Sequence, residues 1–461
     1  MFAVLEQLIA VMWNRLKRRR HGAWHEGRSL DLGFRVVDGQ VTQYHVNLSN
    51  TQRTMHQASL GKSGSGKSYS LRYQAQQDIQ SPDRGFLFLD FHGDATPDLL
   101  STVNARERRE HVHLHERVIL IEPADPIVSV GLNPLERGTS ADFVRNAELA
   151  EVLTLRWGLD RFGARTDELL RNALYVLSAN GLTLVELAPL LSNASFRAAC
   201  LKRIDNSEVR QYFEERYDQQ SDAMQAVMRE PILNKTSTFT ADPHFRHIVG
   251  QTQSTFSLVD AMDEGRWVIV NLDKGRLGAQ ALTLASLIFT MVKHALFRRE
   301  KRSLFTVFAD EVQNLASFGG GIETVLSEAR KFGVGIVSAN QFLEQYPAEL
   351  RAAILSVGTH VFFQLSSADA VHIAQALDGG RTLAERLKNL RQRHAIVKTG
   401  AERPVEVRVP EVRTPQVDYT DLVNRCRGTW GRSRVVIERE IKARQESIAR
   451  NANGEVIDDD E

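Results

Sequence analysis

GKSGSGKS, Gly61 to Ser68, decides how the rest of the chain is read. It satisfies GxxxxGK[ST] in full, and each position has its own physical reason. Gly61, Gly64 and Gly66 let the backbone bend, so that the N–H groups of this loop, including those of Lys62, Ser63 and Ser65, point inward at phosphate oxygens. Lys67 is placed to neutralise β and γ charge, and the Ser68 hydroxyl to ligate Mg²⁺. A helix beginning near Tyr69 offers its positive N-terminal end to the same anion. A chance Gly/Ser loop would lack the strand that MHQASL (55–60) supplies before the motif and the helix that follows it.

A second motif lies downstream in LFTVFADEVQN. Five of the six residues before Asp310 are apolar, which places two adjacent carboxylates at the C-terminal end of a strand, where parallel sheets bind ligands. Asp310 would hold the metal through its bound water, and Glu311 would orient and deprotonate the attacking water. Binding alone requires only the first carboxylate; ATP hydrolysis requires the second. Next comes EARKFGVGIVSANQ, where an apolar strand delivers Gln341 at its tip, in position to sense a γ-phosphate. Arg330, at the end of the preceding helix, is a candidate arginine finger reaching across a subunit boundary. The helix macrodipole alone would also account for cations there.

Around these motifs, short apolar runs alternate with helical patterns: GFLFLD (85–90), RVILIE (117–122), RWVIVNL (266–272), SLFTVFADE (303–311), VGIVSANQ (334–341), HVFFQL (360–365) and HAIVK (394–398). Runs this continuous are buried on both faces, which predicts an α/β fold with a mainly parallel sheet between helices. FRVVDGQVTQYHV reads as a hairpin turning at Asp38-Gly39. Residues 141–256 carry helical spacing without a convincing strand, so an all-α domain is expected to be inserted there. The predicted organisation is a basic amphipathic segment (1–28), a first part of the sheet domain with hairpin and cradle (29–140), the inserted domain (141–256), a second part of the sheet domain (257–430), and a C-terminal helix with acidic tail (431–461).

With 461 residues, 42% hydrophobic and 25% charged, the chain has the composition of a soluble globular protein of two or three domains. A net charge of +1 neither demands nor excludes nucleic acid, so any DNA-binding surface must be local. Cys200 and Cys426 have no CxxC spacing, which gives no disulfide framework or zinc site and suits a reducing cytosol. The opening MFAVLEQLIAVMWNRLKRRRH is too short and too interrupted for a spanning helix. An amphipathic helix on an anionic membrane surface, a docking helix, or a helix packed on its own domain would each fit. The expected location is cytoplasmic, with peripheral contact at the inner face of the membrane if the first of these holds.

GKSGSGKS, FLDFHGD, GLNPL, VNLDKGRLG, VFADEVQNLA and ARKFGVGIVSANQ, in this order, resemble the HerA/FtsK superfamily of hexameric DNA-pumping ATPases. Within it the chain is most similar, over about residues 50–400, to the conjugative coupling proteins of type IV secretion, the TraG/TraD group. The resemblance implies a RecA-like P-loop motor domain with an inserted all-α domain, using ATP and Mg²⁺. It assigns Lys67 and Ser68 to the Walker A pair, Asp310 and Glu311 to the Walker B pair, Gln341 to the sensor and Arg330 to the intersubunit finger. It also implies a homo-hexamer, DNA threaded through the ring, and a relaxase nucleoprotein or secretion channel as partner. Two departures qualify it. The two-helix membrane anchor of typical coupling proteins is replaced by the short N-terminal stretch, which leaves open a soluble HerA-like ATPase in DNA processing or anti-phage defence. An ATP-gated recruitment ring that moves no DNA is a further alternative. Phe91 stands where the family carries proline, so Asp90, His92 and Asp94 read equally as a strand end and turn. Gly319–Gly321, Lys274 and Arg276 are candidate pore-loop contacts to the phosphate backbone, and the basic runs 297–302 and 386–393 read as outer helical faces.

Overall fold

The computed structural model describes residues 29–137, 142–312 and 322–452. The expectations for residues 1–28, for Gly319–Gly321 and for the acidic tail lie outside these. Among the described residues thirteen strands are formed, β1 (Ser29–Val37), β2 (Gln40–Ser49), β3 (Gln57–Leu60), β4 (Gly85–Asp90), β5 (Val118–Ile121), β6 (Val128–Val130), β7 (Trp267–Asn271), β8 (Phe305–Asp310), β9 (Val334–Asn340), β10 (Thr359–Phe362), β11 (His394–Thr399), β12 (Val405–Arg408) and β13 (Gly431–Ser433). Eleven of them make one sheet in the order β2-β1-β12-β11-β10-β3-β9-β8-β4-β7-β5.

From β10 to β5 every neighbouring pair is parallel. From β2 to β10 every pair is antiparallel. The run HAIVK becomes β11, in the antiparallel half of this mainly parallel sheet. The β1–β2 hairpin turns at Asp38 and Gly39, whose φ values of 49° and 76° are those a two-residue turn of this hand requires.

The apolar runs are strands because both of their faces are covered. β4, β8 and β9 are buried at every residue. Phe86 and Phe88 of β4 point to one face, where they meet Leu71 and Ile79 of the helix Lys67–Ile79 and Leu99 of the helix Ala95–Glu110. Leu87 and Leu89 point to the other, into a core shared with the helix Gln280–Leu296. That second core runs without a break into the inserted helices, where Leu169, Leu170, Ala173, Leu174 and Leu177 form one stripe of the helix Ala164–Ala179. Between β6 and β7 the described residues form helices and no strand, so the mainly parallel sheet with an inserted all-α domain is the observed architecture.

The C-terminal part returns to the insertion. β13 pairs antiparallel with β6, and the helix Arg434–Ala452 buries Ile437 and Ile441. Arg444 on this helix reaches the fully buried Glu186 at 2.9 Å and the Gly250 carbonyl at 2.9 Å. The basic runs are mostly exposed, as expected of outer faces, although each has members turned to partners within the fold. Arg299 is buried, donating to Asp263 at 2.8 Å and to the Phe332 carbonyl at 2.8 Å. Arg386 pairs with Glu406, and Arg393 comes to rest against the glycine-rich loop. Among the described residues no helix is long and apolar enough to cross a membrane.

Candidate active site

The C-terminal ends of β3, β9, β8, β4 and β7 lie side by side, and each sends a loop to the same edge of the sheet. The loop after β3 is the glycine-rich cradle. Its start is stitched to both neighbouring strands: the Gly61 N–H donates to the Asn340 carbonyl (3.1 Å) and the Lys62 N–H to the Gln364 carbonyl (2.8 Å). Ser65 closes the turn by donating its hydroxyl to the Lys62 carbonyl at 2.7 Å, while Ser63 and Gly64 face outward. Gly66 has a φ of 117°, and a Cβ there would lie 3.1 Å from Arg393 Cα, so conformation and close approach both demand glycine.

Lys67 opens the helix, and its ammonium is held over the cradle by the carbonyls of Gly61 (2.6 Å) and Lys62 (3.1 Å). Burial lowers its pKa, and the charges of Asp310 and Glu311 oppose the shift. The Ser68 hydroxyl donates to Asp310 Oδ2. Burial raises the Asp310 pKa against the opposing pull of Ser68 and Lys67. Hydroxyl and carboxylate are thus two hard oxygen donors in contact at the mouth of the cradle, a set that suits Mg²⁺. Tyr69 lies between the guanidiniums of Arg72 and Arg393, 5.5 and 5.6 Å from its ring centroid, and its hydroxyl accepts from the Val412 N–H.

Glu311 follows β8 with a φ of 53°, in the left-handed region that costs a non-glycine residue on the order of 1 kcal/mol. Its carboxylate turns toward the loops after β4 and β7, where Oε2 lies 2.6 Å from Lys274 Nζ and Oε1 lies 3.5 Å from His92 Nε2. Lys274, read from the sequence as a pore-loop cation, is therefore placed on the second carboxylate. Asp90 is structural. It accepts from the N–H groups of Gly93, Ala95 and Thr96 and from the Thr96 hydroxyl, which caps the helix that follows. Asp94 is exposed, and its side chain does not cap that helix.

Gln341 sits at the tip of β9, one residue beyond the carbonyl that anchors Gly61, and its N–H donates to Gln345 Oε1 at 3.1 Å. The structure thus gathers Gly61–Tyr69, Asp310, Glu311 and Gln341 at one edge. Arg330 is not among them. It is exposed in the short helix Ala329–Phe332 that enters β9, at the opposite end of the strand, about 20 Å away by strand rise. Sequence reasoning missed Arg393 and the pairing of Lys274. The one available signal for Lys274 was a charge just beyond a buried strand's C-terminal end.

No family model matches the chain, and no curated protein does. Solved structures do. The plasmid coupling protein TrwB in complex with the non-hydrolysable ATP analogue ADPNP is 17% identical over 84% of this chain and 96% of that one, with a TM-score of 0.60. The bacterial conjugative coupling protein TrwB in a trigonal form with sulphate is 18% identical, covering 84% and 96%, with a TM-score of 0.58. VirB4 of Thermoanaerobacter pseudethanolicus is 13% identical, covering 85% and 99%, with a TM-score of 0.52. Identities this low speak to architecture, and the chain has the RecA-type fold, with its helical insertion, of the coupling protein TrwB and of VirB4.

Proposed function

We propose that the chain is an ATP-hydrolysing motor of the conjugation and type IV secretion kind, and that it moves DNA as a homo-hexameric ring. The observation that carries the reading is the contact of the Ser68 hydroxyl with Asp310 beneath the Lys67 ammonium, with Glu311 next in the chain. Bound there, Mg²⁺ would neutralise β- and γ-phosphate charge, held by Ser68 and Asp310. Cradle N–H groups and Lys67 bind the triphosphate; Gln341 orients the attacking water. Glu311 accepts a proton from that water as the water oxygen bonds to the terminal phosphorus and the bond from that phosphorus to the ADP oxygen breaks. Arg330 lies at the far end of β9 from its own cradle and serves the cradle of a neighbouring copy, which ties hydrolysis to subunit orientation. The solved TrwB structures hold ATP and GTP analogues and ADP with Mg²⁺, in support of the same ligands here. A relaxase nucleoprotein or a secretion channel at the inner face of the membrane is the corresponding partner.

The test is phosphate release with and without DNA. Lys67→Ala should abolish turnover, and Glu311→Gln should lower kcat by roughly 10²–10⁴-fold while nucleotide still binds. Turnover retained in both variants rejects the assignment. Movement itself is read by displacement of a triplex-forming strand, which Glu311→Gln should not support.

A further inference from the structure

Glu311 is the group that the proposed hydrolysis needs as a base, yet both of its oxygens face cationic or potentially cationic side chains from neighbouring loops. Lys274 is the stronger of the two, at 2.6 Å. Its own placement is fixed from three sides. Its N–H donates to the Phe91 carbonyl at 3.2 Å, its ammonium lies 4.8 Å from the Phe91 ring centroid, and Asp273 caps the turn by accepting from the Gly275 N–H at 2.9 Å. Phe91, the departure from the family pattern, thus supplies an aromatic face for the cation that holds the base. A carboxylate oxygen held by an ammonium is taken up by that contact until the cation is drawn off.

The turn carrying Lys274 is also built to meet a polyanion. Lys274 keeps 29% of its side chain exposed, and Arg276, two residues on, is exposed beside it. Gly275 lies within the turn, and Gly278, with a φ of 63°, ends it. A phosphate oxygen arriving at this turn competes with Glu311 for the same ammonium.

Resting on the ATPase reading above, we infer that Lys274 is a positioning residue that latches Glu311 in the absence of DNA, and that a DNA phosphate releases the base by taking the lysine. One cation shared between two anions couples DNA occupancy to hydrolysis in both directions. Lys274 acts on the chemistry through Glu311 and touches neither nucleotide nor water.

Two measurements test this. In the first, steady-state hydrolysis is followed with and without single-stranded and duplex oligonucleotides. Lys274→Ala should raise kcat without DNA by about tenfold toward the DNA-stimulated value. KM should not change, the further stimulation by DNA should be lost, and Lys274→Arg should restore the repression. In the second, which needs no turnover, labelled oligonucleotides are titrated onto the nucleotide-free protein. Glu311→Gln should bind several-fold more tightly than wild type, because it frees Lys274, with a salt dependence steeper by about one ion. Adding Lys274→Ala should abolish that gain. An active wild type whose Lys274→Ala variant has unchanged or lower kcat without DNA, or a Glu311→Gln variant with wild-type DNA affinity, overturns the latch alone. A wild type inactive under every condition overturns the ATPase reading, and the latch with it.

Discussion

The two ends of the parallel strands handle buried charge in opposite ways. At the N-terminal ends, Arg53 and Asp78 meet through two hydrogen bonds of 2.7 and 2.6 Å, with side chains 2% and 0% exposed. Arg53 also donates to Thr306 Oγ1 at 2.8 Å, and Arg84 approaches Asp78 from the other side. These groups have fixed partners from within the fold. At the C-terminal ends the partners can be exchanged: Lys67 rests on backbone carbonyls, Ser68 on Asp310, and Glu311 on Lys274. Desolvating a charge is costly wherever it happens. The difference teaches that one end is built to keep its pairs and the other to trade them for a ligand's oxygens.

The sharpest way to break this contrast is Arg330, a cation at the end that keeps its pairs but without a partner role there in the proposed mechanism. If it serves a neighbour's cradle, Arg330→Ala should cost about 10³-fold or more in kcat, with nucleotide affinity and thermal stability close to wild type. Mixing Arg330→Ala with Lys67→Ala protein, each inactive alone, should restore part of the activity. Mixtures that stay inactive would confine the site to one copy.

Asp78→Asn sharpens the comparison from the stability side. It removes the carboxylate that the buried Arg53 and Arg84 share, leaving Arg84 only the weaker influence of Asp83, so the expected loss is about 3–5 kcal/mol in denaturant unfolding. Activity per folded molecule should hold. A loss of turnover with unchanged unfolding would mean that this end, too, belongs to the chemistry.

The smallest effect concerns His56, also at the N-terminal end. Burial pushes its pKa from 6.5 down to about 4, and its Nδ1 accepts from the Ile336 N–H at 3.1 Å. Between these two values the unfolded chain binds the proton and the folded one does not, so stability is full above pH 6.5 and falls as pH drops toward 4. His247, His294 and His360 are shifted down as well. The measurement is therefore the difference between wild type and His56→Asn. Asparagine tolerates the φ of 66° at this position and keeps an acceptor near Nδ1. The variant should show the shallower fall in melting temperature over that pH range, and equal slopes would remove His56 from the account.

The sequence was most legible where burial on two faces leaves no freedom. GFLFLD becomes β4 residue for residue, and the runs 303–311 and 334–341 contain β8 and β9. β12 and β13 were not legible. VEVR is four residues, only partly buried, between β1 and β11 in the antiparallel half, and GRS is a three-residue strand paired to β6, which no side-chain pattern announces. The cradle and the paired carboxylates were readable because their chemistry fixes local spacing. The Lys274–Glu311 pair was not, since it depends on strand order: only β4 lies between β7 and β8 in the sheet. Arg393 was hidden for a similar reason, because a basic run on paper gives no sign that one of its N–H groups will donate to Ser65.

That same strand order governs how the chain can be made. β3 pairs with β9 and β10, β4 with β7 and β8, and β5 with β7. Each parallel strand in the first part of the chain therefore waits for neighbours that leave the ribosome no earlier than Trp267. At ordinary synthesis rates that interval is on the order of ten seconds, during which three segments that end up almost fully buried have no hydrogen-bonding mate. A nascent chain of this design depends on chaperone cover until its second half emerges, and a stalled or truncated product should be cleared by proteases long before it folds.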